Sequence, residues 1–478
     1  MNSLRIVIFF FGANWLLTGA AIHGLAQSNG EIPHYLPDAR YCLQCHSEPF
    51  KSAQEFGVLE RVQLTEWNAW ESKDKHTTAY EQLSMDRGQR MGELLGQDVL
   101  APETGCIQCH TSNVNETLWS EECFRDGVNI AQAKGVACQT CHGPAEHWIG
   151  LHDKPAFRDM SPADREALGF ANMEDPVVRA EKCLSCHVGN AELGRVITHE
   201  MYAAGHPPLS GFEMEAFADK MPRHWRYSHE KPNNQGFKFD RTRAVLVGSV
   251  VALRTAIDLA AADGENWPEL ARLECYSCHH ELQTPSWRQE KFEEPAFGRP
   301  RLELGCLPLV RVAVLIAEGP SGAEQFDSLI SDSRALFKEN MFADPLEIAS
   351  LRTAIDQWSE PIERQLVEMP LDNERVSEIL DQLITIAAKE THDYDTARQL
   401  AGAITVIADE LSRSGSQVSG LENLLQQLQR FNERGFALAS TEDKRVENKY
   451  HQQLSYRARF KPRVFSALMA SLKEDLGK

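Results

Sequence analysis

Five times between residues 42 and 279 the chain repeats one five-residue pattern: Cys42-Leu43-Gln44-Cys45-His46, Cys106-Ile107-Gln108-Cys109-His110, Cys138-Gln139-Thr140-Cys141-His142, Cys183-Leu184-Ser185-Cys186-His187 and Cys275-Tyr276-Ser277-Cys278-His279. Together they use ten of the twelve cysteines. The pattern C-x-x-C-H is the attachment signature of c-type haem. Its two thiols form thioethers with the two vinyl groups of one haem, and the histidine that follows becomes the proximal axial ligand. Other uses of paired cysteines fit less well. Zinc sites use C-x-x-C but do not require a histidine after every pair. A thioredoxin-like redox pair would occur once, near a strand–helix unit. Disulfides would not fix a two-residue spacing five times. The repeat therefore predicts five covalently bound haem c groups, thioethers at those ten cysteines, and His46, His110, His142, His187 and His279 as proximal iron ligands. Cys123 and Cys306 are left over, far apart and without a spacing cue, open to a disulfide or to buried free thiols; neither is assigned a function.

The N-terminus points to an oxidising compartment. Arg5 precedes an apolar stretch from Ile6 to Ile22, followed by Gly24-Leu25-Ala26. A positive start, an apolar middle and small residues before Gln27 read as a secretory signal over residues 1–26. An uncleaved anchor is the alternative, for which the run is short. The mature chain is expected to be periplasmic or secreted, with no later segment long and apolar enough to cross a bilayer. The net charge of −20 disfavours nucleic acid and anionic lipid as partners and leaves room for a basic redox partner protein.

Each haem iron has a second axial position. Setting aside His23 and the five proximal residues leaves His34, His76, His147, His152, His199, His206, His224, His229, His280, His392 and His451, so supply exceeds demand. Nine of these eleven lie between residues 34 and 280, the stretch that carries the motifs.

The order and spacing of the first four motifs resemble the tetrahaem cytochromes c of the cytochrome c-554 type, which accept electrons from hydroxylamine oxidoreductase. The Gly135-Val136-Ala137-Cys138-Gln139-Thr140-Cys141-His142-Gly143-Pro144 stretch carries most of the likeness, which runs over roughly residues 40 to 190. The resemblance implies that the histidine in the helix after the first motif, here His76, ligates the fourth haem. It also implies that a histidine ten residues beyond the third proximal one, here His152, ligates the first, with His147 as its rival. In that family the second haem lacks a strong distal ligand, which singles out the site at Cys106, Cys109 and His110. Beyond the resemblance the chain adds His199, His206 and His224, taken here as distal candidates, and then the fifth motif. His206 precedes Pro207, which biases it away from helix and towards an element boundary.

A chain of 478 residues is long enough for two domains. Residues 27–305 read as a loop-rich pentahaem region with short helices, in which haem faces replace much of the side-chain core. One helix from about Arg241 to Ala262 is apolar nearly all round, which argues burial at an interface. From 306 to 478 the pattern is that of an α-helical bundle. Asn373 to Thr391 places Val376, Ile379, Leu380, Leu383, Ile384 and Ala387 on one face. Arg398 to Ser412 and Leu421 to Phe431 behave alike, with breaks at Pro345, Pro361, Pro370 and between Ser412 and Gly420. His392 and His451 are expected at the surface. The fold class is mainly α.

Two functions follow from these readings. The first is an electron carrier between redox partners, with no catalytic residue of its own. The second is a multihaem oxidoreductase acting on a small nitrogen or sulfur compound at one haem with an open sixth position. The lysine-ligated variant of the motif, used by pentahaem nitrite reductases, is absent. What separates the two is whether a histidine reaches the iron of the His110 site, with His206 and His199 the leading candidates.

Overall fold

Positions i, i+3 and i+4 of an α-helix share one face, so a C-x-x-C-H run wound into a helix presents two thiols and an imidazole on the same side. In the computed structural model, the first four motifs close the helices Arg40–His46, Gly105–His110, Cys138–His142 and Pro176–His187. The fifth begins on a 3-10 turn, Cys275–Ser277. The structure describes residues 40–48, 62–101, 104–112, 135–231, 236–280, 286–288, 299–433, 457 and 459–476. The signal stretch, His34, Cys123 and His451 lie outside them. Among the described residues there are helices and two isolated β-bridges, Asn190 with Arg195 and Leu273 with Leu302, but no strand. The chain is mainly α.

Apolar burial is uneven. Around the first three motifs it amounts to three small groups: Trp67 and Trp70 with Ala137; Leu83, Val99 and Ile107; Ala145, Trp148 and Phe157. The large core is built on the helix Asp240–Ala262, whose Val245, Leu246, Val250, Val251, Leu253 and Ile257 are all buried. It packs against Pro176–His187 of the fourth motif and against Leu307–Glu339, Pro345–Glu368 and Tyr394–Arg413 of the bundle. One core therefore joins the motif-bearing chain to the bundle. This central helix also corrects an expectation: it is long and apolar enough to cross a membrane, with a mean hydropathy of 1.8 over its best window. Its apolar faces are taken up by neighbouring helices, with 67% of that window buried.

The bundle continues with Asn373–Lys389, Leu421–Glu433 and Pro462–Leu476. Aspartates start several of its helices. Asp344, Asp372 and Asp393 accept backbone N–H bonds from Leu346, Arg375 and Thr396, satisfying donors that the first turn cannot. The apolar stripe from Val376 to Ala387 is wholly buried. Leu307–Glu339 is broken at Gly319, whose φ of 74° lies outside the helical region, and resumes at Pro320.

Two other expectations change here. Pro361 does not end a helix but lies inside Pro345–Glu368. Both Pro361 and Gln357, whose carbonyl it leaves without an amide partner, are exposed, so water can supply the missing bond. His392 is buried at 3% exposure rather than at the surface. It follows the end of Asn373–Lys389, its Nε2 is 3.1 Å from the Ile386 carbonyl oxygen, and its ring meets Phe465 edge-on. That carbonyl also accepts the Glu390 N–H at 3.1 Å, so the imidazole is a second partner at the helix end.

Charged groups pin the joint between the two parts. Arg241 donates through Nη1 to Asp409 at 2.5 Å and through Nη2 to Asp219. Glu410 accepts the backbone N–H groups of Arg241 and Thr242 and the Thr242 hydroxyl.

Candidate functional site

Backbone bonds tie the second and third motifs to distant segments. The Val136 N–H donates to the His76 carbonyl and the Ser112 N–H to the Gly135 carbonyl, each at 2.9 Å, while the Trp70 indole donates to the Val136 carbonyl. The approach to the third motif, the end of the second and the His76 turn thus form one unit. His76 itself sits on a 3-10 turn, Lys75–Thr78, capped by Asp74, rather than in an α-helix. Arg195, which no motif points to, bridges the second and fourth motifs. Its Nε donates to the Gln108 carbonyl at 3.0 Å and its Nη1 to the Ser185 hydroxyl at 2.6 Å.

This scaffold brings motif histidines face to face with histidines from elsewhere. His46 and His152 have ring centres 6.3 Å apart and planes 18° apart. His187 and His76 are separated by 6.3 Å with planes at 84°. His110 and His206 stand 6.5 Å apart at 82°, and His279 and His199 stand 6.2 Å apart at 27°. His142 is half-buried, and desolvation together with the charge of His224 pushes it down to about 4.

These spacings leave room for a metal ion between the two rings. An imidazole nitrogen binds a transition metal at about 2 Å; two such bonds end to end, with half a ring on each side, span about 6 Å. Where rings stack directly in this protein, as His187 on Phe212, the centres are 4.2 Å apart. The second ring nitrogens agree. Nδ1 of His110, His152, His206 and His224 faces the carbonyl oxygens of Ala79, Ile149, Pro207 and Pro222 at 2.7, 2.7, 2.8 and 3.4 Å. Nδ1 of His46 and His76 faces Glu66 and Asp74. Tying down Nδ1 leaves Nε2 to act as ligand and fixes the ring orientation, as is usual for metal-bound histidine. Burial holds His187 and His206 down at about 4, so their lone pairs are free at neutral pH.

The thiols cluster by motif pair. The Cys42 thiol is brought down to about 7 by its hydrogen bond with Cys138, and Cys186 to about 6 by its hydrogen bond with Cys109. These interactions relate the first motif to the third and the second to the fourth. Burial pushes Cys141 up to about 11 and Cys183 and Cys275 up to about 12, so these are thiols rather than thiolates. Among the described residues no group of three His, Cys, Asp or Glu side chains is placed to hold a metal ion.

Of the other candidates, His147 is only 3.9 Å from Glu146 through Nε2, and no close approach to a proximal histidine joins it to the ring pairs. His229 stacks on Phe237 at 4.2 Å, and His280 is exposed. Cys306 is a buried free cysteine.

Gly143, directly after His142, has φ of 85°, and a side chain there would run into the Gly169 carbonyl. Gly143→Ala is expected to cost about 1–3 kcal/mol from the strained backbone alone and to lower haem content at the third motif. Unchanged haem stoichiometry and denaturation midpoint would count against this.

The comparisons agree with the geometry over part of the chain. Residues 41–143 match the family model described as cytochrome c554 and c-prime. No curated protein and no solved structure matches. The matched stretch holds the motifs at Cys42, Cys106 and Cys138, and it stops short of the fourth motif and the bundle. Over that stretch the chain is similar to a cytochrome c family, and the likeness implies covalently bound haem c.

Proposed function

We propose that this protein is an exported pentahaem cytochrome c that passes electrons between redox partner proteins outside the cytoplasm. The observation that carries the reading is the facing of histidines: four of the five motif histidines stand 6.2–6.5 Å, ring centre to ring centre, from a second histidine from elsewhere in the chain. On this reading the axial pairs are His46 with His152, His110 with His206, His142 with His224, His187 with His76 and His279 with His199. Haem c supplies a one-electron Fe(III)/Fe(II) couple at each position. The chain's residues do the rest. Ten cysteines tether the cofactors, ten imidazoles fill both axial positions, and the Nδ1 acceptors keep the rings from turning. The oxidoreductase reading needs an open position at the His110 site, and His206 stands opposite that ring. The acidic surface suits a basic partner, and the N-terminal apolar stretch suits export.

Intact mass and a pyridine haemochrome assay on protein matured in a host with full cytochrome c assembly should give five haems per chain, and peptide sequencing should place the mature N-terminus at Gln27. Fewer than five haems would reject the cofactor count, and a retained Ile6–Ile22 stretch would reject cleavage.

A further inference from the structure

The axial candidates differ in what holds their second nitrogen. His46 Nδ1 is 3.0 Å from Glu66 Oε2, and His76 Nδ1 is 2.9 Å from Asp74 Oδ1. For His110, His152, His206 and His224 the Nδ1 acceptor is a neutral backbone carbonyl. Both carboxylates are also anchored by backbone N–H groups. Glu66 Oε1 accepts the N–H groups of Gln63 and Leu64 at 2.6 and 3.1 Å, and Asp74 Oδ1 accepts the His76 N–H at 3.0 Å. Neither residue belongs to a motif, and both lie on segments that otherwise only support one.

We propose that Glu66 and Asp74 are potential-setting residues. Each lowers the reduction potential of one haem, the one held by His46 and His152 and the one held by His187 and His76, below that of the haem held by His110 and His206. The proposal rests on the axial pairs assigned above. With Nε2 on the iron, Nδ1 carries the proton and donates it to the carboxylate, which makes the ring a stronger electron donor. The carboxylate also places a negative charge on the far side of the ring, where low dielectric limits its screening. Both effects favour ferric over ferrous iron. Reduction adds one electron from a donor protein to one iron; no bond forms or breaks, and the Nδ1 proton stays in place. The Asp74 side chain is 3% exposed and that of Glu66 16%, so the larger effect belongs to Asp74.

The test is a potentiometric titration of full-length holoprotein, read by visible absorbance and electron paramagnetic resonance. The ring angles allow the two haems to be told apart. Near-parallel imidazoles (His46 with His152, 18°) and near-perpendicular ones (His187 with His76, 84°) split the iron orbitals differently and give different low-spin signals. Asp74→Asn keeps an acceptor for the His76 N–H but removes the charge. It should raise one perpendicular-class haem by at least tenfold in its reduced-to-oxidised ratio at fixed poise, about 59 mV for one electron. Glu66→Gln should raise one parallel-class haem by less, and Asp74→Glu should return the first haem towards its original value. Midpoints that stay in place in both neutral variants, or that all move together, would overturn the proposal while low-spin spectra left the axial pairs standing. Loss of low-spin character in the unaltered protein would instead reject the axial pairs, and this inference with them.

Discussion

Replacing His206 by alanine should turn one haem in five from low-spin to high-spin and make it, alone, open to cyanide or nitric oxide. In the unaltered protein His206 stands 6.5 Å from His110, ring centre to ring centre. Its Nδ1 is held by the Pro207 carbonyl at 2.8 Å, and its backbone lies just past the helix His199–Ala204, after Gly205 with φ of 121°. Two imidazoles give a strong ligand field and low-spin ferric iron. Taking one away leaves a five-coordinate or water-bound site, the condition for small-molecule chemistry. Electron paramagnetic resonance of the oxidised variant should show a high-spin signal of about one haem per chain, absent before the change, and His147→Ala should show none. A stoichiometric high-spin signal in the unaltered protein would favour the small-molecule oxidoreductase over the electron carrier.

The second large effect is on stability. Arg241→Ala should destabilise the folded protein by about 3 kcal/mol, at the lower end of the roughly 3–5 kcal/mol for breaking a buried ion pair. The guanidinium is 5% exposed and bonds both Asp219 and Asp409. Asp219 is 43% exposed and Asp409 28%, so water recovers part of what the two carboxylates lose. That places the effect at the low end. The loss should appear as a lower urea midpoint with unchanged haem spectra, because no axial candidate touches this network. A change below about 1 kcal/mol, the size of an exposed pair, would show that the joint rests on apolar packing alone.

What the sequence made legible follows from the range of each interaction. The motifs are local, five residues long, and announce their chemistry. The bundle helices announce themselves by period: the stripe from Val376 to Ala387 is buried as its spacing predicts. Pairing the remaining histidines depends on contacts between distant segments. His206 and His199 were interchangeable as sequence; the fold sets the first against His110 and the second against His279. Glu66 lies twenty residues beyond His46 with no pattern linking them. Asp74, two residues before His76, was within reach as a local Asp-x-His signal. Arg195 carries no sequence signal at all. The misjudged residues, Pro361 and His392, each turned on solvent access at a helix surface or end, which a linear pattern does not encode.

The position of the central helix in the chain has a consequence for how such a protein is made. Asp240–Ala262 is synthesised before the fifth motif, whereas most of the helices that cover it follow residue 306. Trp267, Leu273 and Leu302, on either side of that motif, insert into the same core. The helices Leu307–Glu339, Pro345–Glu368 and Tyr394–Arg413 thus cover an apolar helix that is made before them. A chain ending near residue 305 would leave that helix, with a mean hydropathy of 1.8 over its best window, without these three partners and should aggregate.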